Sequence, residues 1–289
     1  MNYNLCDYNV INSLLKKHGF KFSKALGQNF IIDGDICPEM AQALGADKKT
    51  GVLEIGPGIG VLTKELCKRA GKVCAVELDK RLYPVLAETL GDYPNFELVE
   101  GDIMKLNLRE LISEKFRGCS SVKICANLPY YITSPVIMLL LESRLDVDEI
   151  VVMVQREAAE RLCAEAGTRE CGAVSAAVQY YGRAEILFGV GRECFMPSPK
   201  VDSAVIRITP YSEPQYKVKD ERALFALIKA AFSQRRKTAV NSVSATVGIP
   251  KERVLSALES LSLDANIRAE KLTMEDFAKL SEILFDNEG

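Results

Sequence analysis

Histidine is nearly missing from this chain: His18 is the single one among 289 residues. It lies among lysines in KKHGFKFSK, where a solvated side chain is expected, so histidine-based acid/base catalysis, catalytic triads and His-metal centres are poor readings. Paired cysteines are missing too. The nine cysteines run from Cys6 to Cys194 without a C-x-x-C pair, which argues against a disulfide framework and against a zinc site. They read as reduced core or surface thiols. No stretch reaches the roughly 18 to 20 apolar residues that a bilayer span requires. The opening MNYNLCDYNVINSLLKKHGF carries its charges after its apolar residues and has no small-residue cleavage site, so it does not read as a secretory leader. A cytoplasmic protein without membrane association is the expectation.

A large net charge is also missing. The formal charge is −2, which by itself argues against a polyanionic partner. The distribution points the other way: Lys200 to Lys251 holds ten Lys or Arg against four Asp or Glu, and Glu252 to Gly289 holds four against nine. A basic segment beside an acidic one can bind polyanions on one face of a nearly neutral chain.

From about Gly51, short apolar runs alternate with helical patterns: VLEI then VLTKELCKRA, VCAVEL then KRLYPVLAETL, FELVEGD, VKICANLP then SPVIMLLLES, EIVVMVQ then REAAERLCAE. That alternation is the mark of βαβ units and a parallel sheet, so the fold class is α/β. AEILFGV and DSAVIRITP, joined by the proline-punctuated loop RECFMPSPKV, read as a terminal hairpin with one strand antiparallel to the rest. After PYSEPQY only helical patterns remain, in ERALFALIKAAF, Lys237 to Val247, KERVLSALESL and MEDFAKLSEILF. A boundary near Tyr211 follows, with 1–211 as an α/β domain (1–23 an N-terminal extension) and 212–289 as a helical one.

The first strand runs into VLEIGPGIGVLTKEL. Glycines at the turn after the first strand of such a sheet let a ligand approach the backbone. The dinucleotide fingerprint needs glycines at 56, 58 and 61, but position 61 is valine, which argues against nicotinamide or flavin binding. Glu77 ends the second strand, about twenty residues beyond Gly56, where an acid can accept bonds from both ribose hydroxyls. Asp102 ends the third strand and can accept from an adenine amino group. Either acid alone reads as a solvated loop charge; two acids and a glycine loop at successive strand ends imply an adenosine-bearing ligand without a pyrophosphate.

The fourth strand ends in ANLPYYITSP. Asn127 offers a carbonyl acceptor and an amide donor, while Pro129 restrains Leu128 to an extended shape and so directs the Leu128 carbonyl. Two acceptors can then converge on one amine, and Tyr130 offers a face on which a base can stack. An exocyclic adenine amine is a poor nucleophile because its lone pair is delocalised into the ring. Hydrogen bonds from its two hydrogens to fixed acceptors favour a pyramidal nitrogen, which resembles the transition state more than the ground state. Attack on a sulfonium methyl needs neither a metal nor a strong base. Standing alone, the motif reads equally well as a proline turn with a packed tyrosine.

KALGQNFIID, EIGPGIGVLT, VELD, EGDIMKL, ANLPYYITSP, MVQREAAERL, FMPSPKVDSAVIR and FSQRRKTAVNSV occur in an order and spacing that resembles the ribosomal RNA adenine N6-dimethyltransferases, over about Lys24 to Phe277. The resemblance implies a Rossmann-like, seven-stranded class I methyltransferase sheet followed by a small helical domain that contacts RNA or the ribosome. It implies S-adenosylmethionine enclosed by Gln28, Asn29, Ile31, Gly56, Gly58, Glu77, Asp102, Ile103 and Asn127, with S-adenosylhomocysteine as product and no metal. Asn127, Leu128, Pro129 and Tyr130 would serve the target base, with Phe195 as a second wall. Arg235, Arg236 and Lys237 in SQRRK would touch RNA phosphates, with Arg156 and Arg161 as further contacts, although helix pairs with nearby glutamates explain the last two almost as well. AVNSV after QRRKT is less bulky and less polar than is common in the family, which leaves the RNA footprint open.

Within the family the resemblance implies dimethylation of N6 on two adjacent adenosines near the 3′ end of small-subunit RNA, inside a pre-30S particle and by a monomer. The alternatives are a large-subunit dimethyltransferase of the antibiotic-resistance type, and an assembly or transcription factor on the same fold. The FMPSPKVDSAV and IRAEKLTMEDF blocks favour the small subunit, and a DNA enzyme would generally carry an acid where Asn127 stands.

Overall fold

In this computed structural model, residues 3–23, 26–234 and 236–285 are described. The chain forms two compact units, residues 1–159 with 185–210 and residues 160–184 with 211–289.

In chain order the first unit comprises α1 (Tyr8–Lys17), β1 (Phe30–Ile31), α2 (Ile36–Ala43), β2 (Thr50–Ile55), α3 (Val61–Arg69), β3 (Lys72–Glu77), α4 (Tyr83–Leu90), β4 (Phe96–Glu100), α5 (Leu108–Lys115), β5 (Ser121–Asn127), α6 (Thr133–Glu142) and β6 (Glu149–Gln155). It leaves through α7 (Arg156–Leu162) and returns after α8 (Ala173–Tyr181) on β7 (Gly182–Val190), β8 (Phe195–Met196) and β9 (Ser203–Pro210). One seven-stranded sheet runs in the order β4-β3-β2-β5-β6-β9-β7. The strands from β4 to β6 are parallel neighbours, and β9 pairs antiparallel with β6. The central strands read as continuous apolar runs because helices cover both faces. Ile150 to Val154 of β6 are fully buried, each large side chain contributing about 1.5–3 kcal/mol by removal from water.

The order reverses between β2 and β5, which leaves a crevice outside their carboxyl ends, where ligands bind in open α/β sheets. α2 and α3 close one face with Met40, Leu44, Leu62 and Leu66 packed on Val52, Val73, Val151 and Val205. α1 joins α4 through Ile11, Leu14, Phe20, Leu82 and Leu86. His18 is therefore not the solvated side chain its lysine neighbours suggest: its Nε2 lies 2.7 Å from Glu88 Oε2. Tyr3 and Lys17 bond the same carboxylate, and bonds from Lys17, Tyr3 and His18, in that order, hold Glu88 down at about 2.

The second unit is a helical cluster of α8 with α9 (Glu221–Ala231), α10 (Ala239–Val247), α11 (Lys251–Ser260) and α12 (Met274–Phe285). Tyr180, Leu227, Leu258, Phe277 and Leu284 form its core, and the Tyr180 hydroxyl donates to Glu221 Oε1 at 2.7 Å. No helix among the described residues is long and apolar enough to cross a membrane.

Candidate active site

The carboxyl ends of β2, β3, β4 and β5 surround a cleft of about 1070 Å³, open mouth included. Its wall contains Gln28, Asn29, Ile31, Gly56, Gly58, Glu77, Asp102, Ile103, Asn127, Leu128, Pro129, Tyr130 and Phe195. Residues spread over more than 160 positions of sequence thus meet at one place: successive parallel strands deliver their ends from Gly56 to Tyr130 to one edge, and the 28–31 segment and Phe195 join them.

The glycine loop supplies the floor. Gly56 and Gly58 have φ of 68° and 60°, a left-handed region that non-glycine residues enter at a cost. A Cβ on Gly56 would meet nothing within 4 Å, whereas one on Gly58 would press on Phe30 at 3.2 Å. Gly56 therefore leaves backbone open toward the cleft, and Gly58 admits the wall strand β1. Glu77 is 6% exposed and accepts the Asp79 N–H at 2.8 Å. Burial pushes its carboxyl up, opposed by N–H groups of Asp79, Gly58 and Leu78 that favour the ionised form. Asp102 is held by an Asx turn in which its Oδ1 accepts the Met104 N–H at 3.0 Å.

At the end of β5, Asn127 Nδ2 donates to the Asn29 carbonyl at 3.3 Å. That bond settles which end of the amide is free: the Oδ1 acceptor. The Leu128 N–H donates to the Met153 carbonyl at 3.0 Å, and Pro129 has φ −56° and ψ 131°, so the backbone carrying the second acceptor is pinned on both sides. Tyr130 is half-buried, and its hydroxyl lies 2.7 Å from the Ser203 hydroxyl. The ring is fixed as a wall. Phe195 arrives by a device with no sequence signal, a two-residue antiparallel ladder in which Ile31 faces Phe195 and Phe30 faces Met196.

Two acids were not anticipated. Glu54, within VLEI, is 1% exposed and lines the cleft. Its Oε2 lacks a hydrogen-bond partner. Thr63 stands close enough to favour the ionised form, but burial dominates and pushes the carboxyl up to about 8, with Glu77 adding to the rise. An orphaned buried carboxylate oxygen in a ligand cleft suits a ligand that carries positive charge, as a sulfonium or ammonium group does. The second acid is Asp79, which accepts Gln28 Nε2 at 2.7 Å and Arg81 Nε at 2.8 Å. Gln28 Oε1 in turn accepts the Ser23 N–H at 2.9 Å. The Gln28 side chain thus ties the wall to the VELD turn, and the Arg81 guanidinium holds the Asp79 carboxyl below its usual range.

The basic residues lie elsewhere. Arg236 and Lys237 are exposed in the turn between α9 and α10, and Arg235 lies outside the described residues. Arg156 and Arg161 are exposed on α7. None of these four lines the cleft.

A family model described as ribosomal RNA adenine dimethylase matches residues 19–286. The chain belongs to this family. Curated relatives of the dimethylase include the ribosomal RNA small subunit methyltransferase A of Geobacillus thermodenitrificans, 46% identical over 274 residues, which are 94% of each chain. The protein of that name from Streptococcus sanguinis is 43% identical over 283 residues, covering 97% of this chain and 98% of the relative. Among solved structures, a dimethyladenosine transferase from Plasmodium falciparum aligns with a TM-score of 0.73 at 27% identity, over 87% of this chain and 95% of that one. The 23S rRNA methyltransferase ErmE aligns with a TM-score of 0.66 at 25% identity, over 88% and 99%.

In this dimethylase the Asp79 tie is open to a direct test. Asp79→Ala removes the carboxylate that Gln28 and Arg81 share and frees the Gln28 segment, so affinity for S-adenosylhomocysteine measured by titration calorimetry is expected to fall about tenfold, on the order of 1.4 kcal/mol. Unchanged affinity would show that the wall holds its place without Asp79.

Proposed function

We propose that this chain transfers two methyl groups in succession to N6 of each of two adjacent adenosines near the 3′ end of small-subunit ribosomal RNA. It works in the cytoplasm as a monomer on a pre-30S particle, with S-adenosylmethionine as methyl donor and S-adenosylhomocysteine as product. The observation that carries the chemistry is the Asn127 amide, whose donor end is engaged by the Asn29 carbonyl at 3.3 Å and whose acceptor end is left for an amine. The choice of small over large subunit is supported by 43% to 46% identity to small-subunit relatives across nearly the whole chain, against 25% to the 23S enzyme.

Asn29, Ile31, Gly56, Gly58, Asp102 and Ile103 would hold the cofactor, with Glu77 on its ribose and Glu54 facing its charged end. Bound there, S-adenosylmethionine supplies a methyl group on a positively charged sulfur. Tyr130 and Phe195 clasp the target base once it has left its stack. In the first transfer Asn127 Oδ1 and the Leu128 carbonyl each accept a hydrogen bond from N6, and in the second one of them accepts from the single N6 hydrogen that remains. Each time the lone pair is localised and aimed at the methyl carbon, the C–S bond breaks to leave S-adenosylhomocysteine, and the methylated nitrogen loses a proton to solvent. Fixed acceptors need no reorganisation as charge develops on nitrogen, and positioning supplies most of the acceleration. The helical unit, through Arg235, Arg236 and Lys237 with Arg161, and Arg156 on the sheet unit, contributes phosphate contacts that set register.

The test is to incubate the protein with labelled S-adenosylmethionine and, separately, naked RNA, undermethylated small subunits, large subunits and DNA, then to map the modified base. Dimethyladenosine at two adjacent small-subunit positions is expected. Label confined to large-subunit RNA or to DNA overturns the substrate assignment.

A further inference from the structure

Tyr131 is 55% exposed, more than any other aromatic residue of the cleft wall. It directly follows Tyr130 on the short turn 130–132. Consecutive side chains on such a turn diverge by about 120°: Tyr130 reaches inward to Ser203, and Tyr131 stands at the mouth. Its ring is not loose. A Cβ on Gly27 would lie 3.3 Å from Tyr131 Cδ1 and 3.5 Å from its Cε1, so one ring edge rests against the wall segment and the rest is open. Gly27 itself has φ 59°, and a side chain there would crowd the ring edge.

A base turned out of a strand leaves its neighbour without a stacking partner. That neighbour stays tethered by one phosphodiester, hence at the cleft mouth, where an edge-braced aromatic can receive it. Stacking on such a ring tolerates any base and is strong enough to contribute measurably to single-strand affinity. We propose that Tyr131 stacks the nucleobase adjacent to the one held between Tyr130 and Phe195, so that a single-stranded dinucleotide is the unit recognised. The inference rests on the cleft being the RNA adenosine site. For a target of two adjacent adenosines, the base on Tyr131 is the next substrate, already in place when the first leaves.

The experiment measures binding of a short fluorescent single-stranded RNA with two adjacent adenosines in the presence of S-adenosylhomocysteine. The comparison is wild type, Tyr131→Leu and Tyr131→Phe, each also with RNA in which the neighbouring base is abasic. Leucine keeps apolar contact with Gly27 but offers no ring face. Tyr131→Leu is expected to weaken binding of the intact RNA about tenfold, Tyr131→Phe to leave it within twofold, and the abasic RNA to bind wild type and Tyr131→Leu alike. Equal affinity of wild type and Tyr131→Leu for intact RNA overturns the inference. So does an equal loss with abasic RNA, which would place the effect in the Gly27 contact, and so does wild-type affinity that ignores the neighbouring base. Methyl transfer is scored separately, on undermethylated small subunits: Tyr131-dependent binding of the RNA with no transfer to those subunits sinks the enzymatic reading and not this one.

Discussion

Asn127→Ala lowers methyl transfer by at least about a hundredfold while the affinity for S-adenosylhomocysteine changes by less than about threefold: that is the expected result. The substitution deletes an acceptor that matters only while the amine pyramidalises, and removing one preorganised partner of a developing charge is worth roughly 10² to 10³ in rate, about 2.7–4 kcal/mol. It also deletes the bond to the Asn29 carbonyl, a loss of about 1 kcal/mol in stability. Thermal unfolding and cofactor titration therefore accompany the rate measurement. Single-turnover rates on undermethylated small subunits read the chemical step. Full activity would remove the amine-orienting role; a collapse of cofactor affinity in step with the rate would instead make Asn127 a support of the Asn29 wall.

Asn127, Glu77, Asp102 and the glycine loop were legible in the sequence for one reason. Parallel strands alternating with helices place every strand end at the same edge, so a polar residue closing an apolar run has a known address. One antiparallel strand in a terminal hairpin was legible as well, and β9 is that strand; the order of the sheet was not, because alternation alone does not say which strands are neighbours. What was not legible has equally physical causes. The β1–β8 ladder pairs Ile31 with Phe195 and Phe30 with Met196, far apart in the chain; two residues have no periodicity, and nothing local marks the pairing. Glu54 sits inside VLEI, where a single acid interrupts an apolar run without announcing that it faces a cleft. Asp79 reads as a turn residue until Gln28 and Arg81 are seen to converge on it. α1 did carry a signal: Asp7 caps its first turn by accepting from Asn9 and Val10, and NVINSLLKK has helical spacing. Its role in covering α4 required the tertiary contact.

The buried acid gives the other large effect, on stability against pH. The Glu54 carboxyl stands at about 8 in the folded chain against an ordinary 4.5. Between those values the folded protein keeps a proton that the unfolded chain has released, so unfolding releases that proton and stability declines as pH rises. The contribution is fully present below pH 4.5 and lost as pH passes 8, at up to about 1.4 kcal/mol per pH unit, on the order of 4–5 kcal/mol across the window. Glu77 is raised by burial as well and slopes the same way, so the wild-type curve alone does not isolate Glu54. Comparison with Glu54→Gln does. The amide leaves the site polar and equally buried but cannot titrate, so its constant offset drops out and the difference in slope remains. In denaturant titrations from pH 5 to pH 8.5, Glu54→Gln is expected to gain on wild type by several kcal/mol. Parallel curves would mean that Glu54 ionises in the folded chain as it does in the unfolded one. A positively charged ligand in the cleft favours the carboxylate, so saturating S-adenosylmethionine is expected to flatten the wild-type slope by more than it flattens that of Glu54→Gln, where Glu77 alone of the two still titrates. The unused Glu54 oxygen is in this sense a charge held back until the cleft is filled, and its removal trades cofactor affinity for stability at alkaline pH.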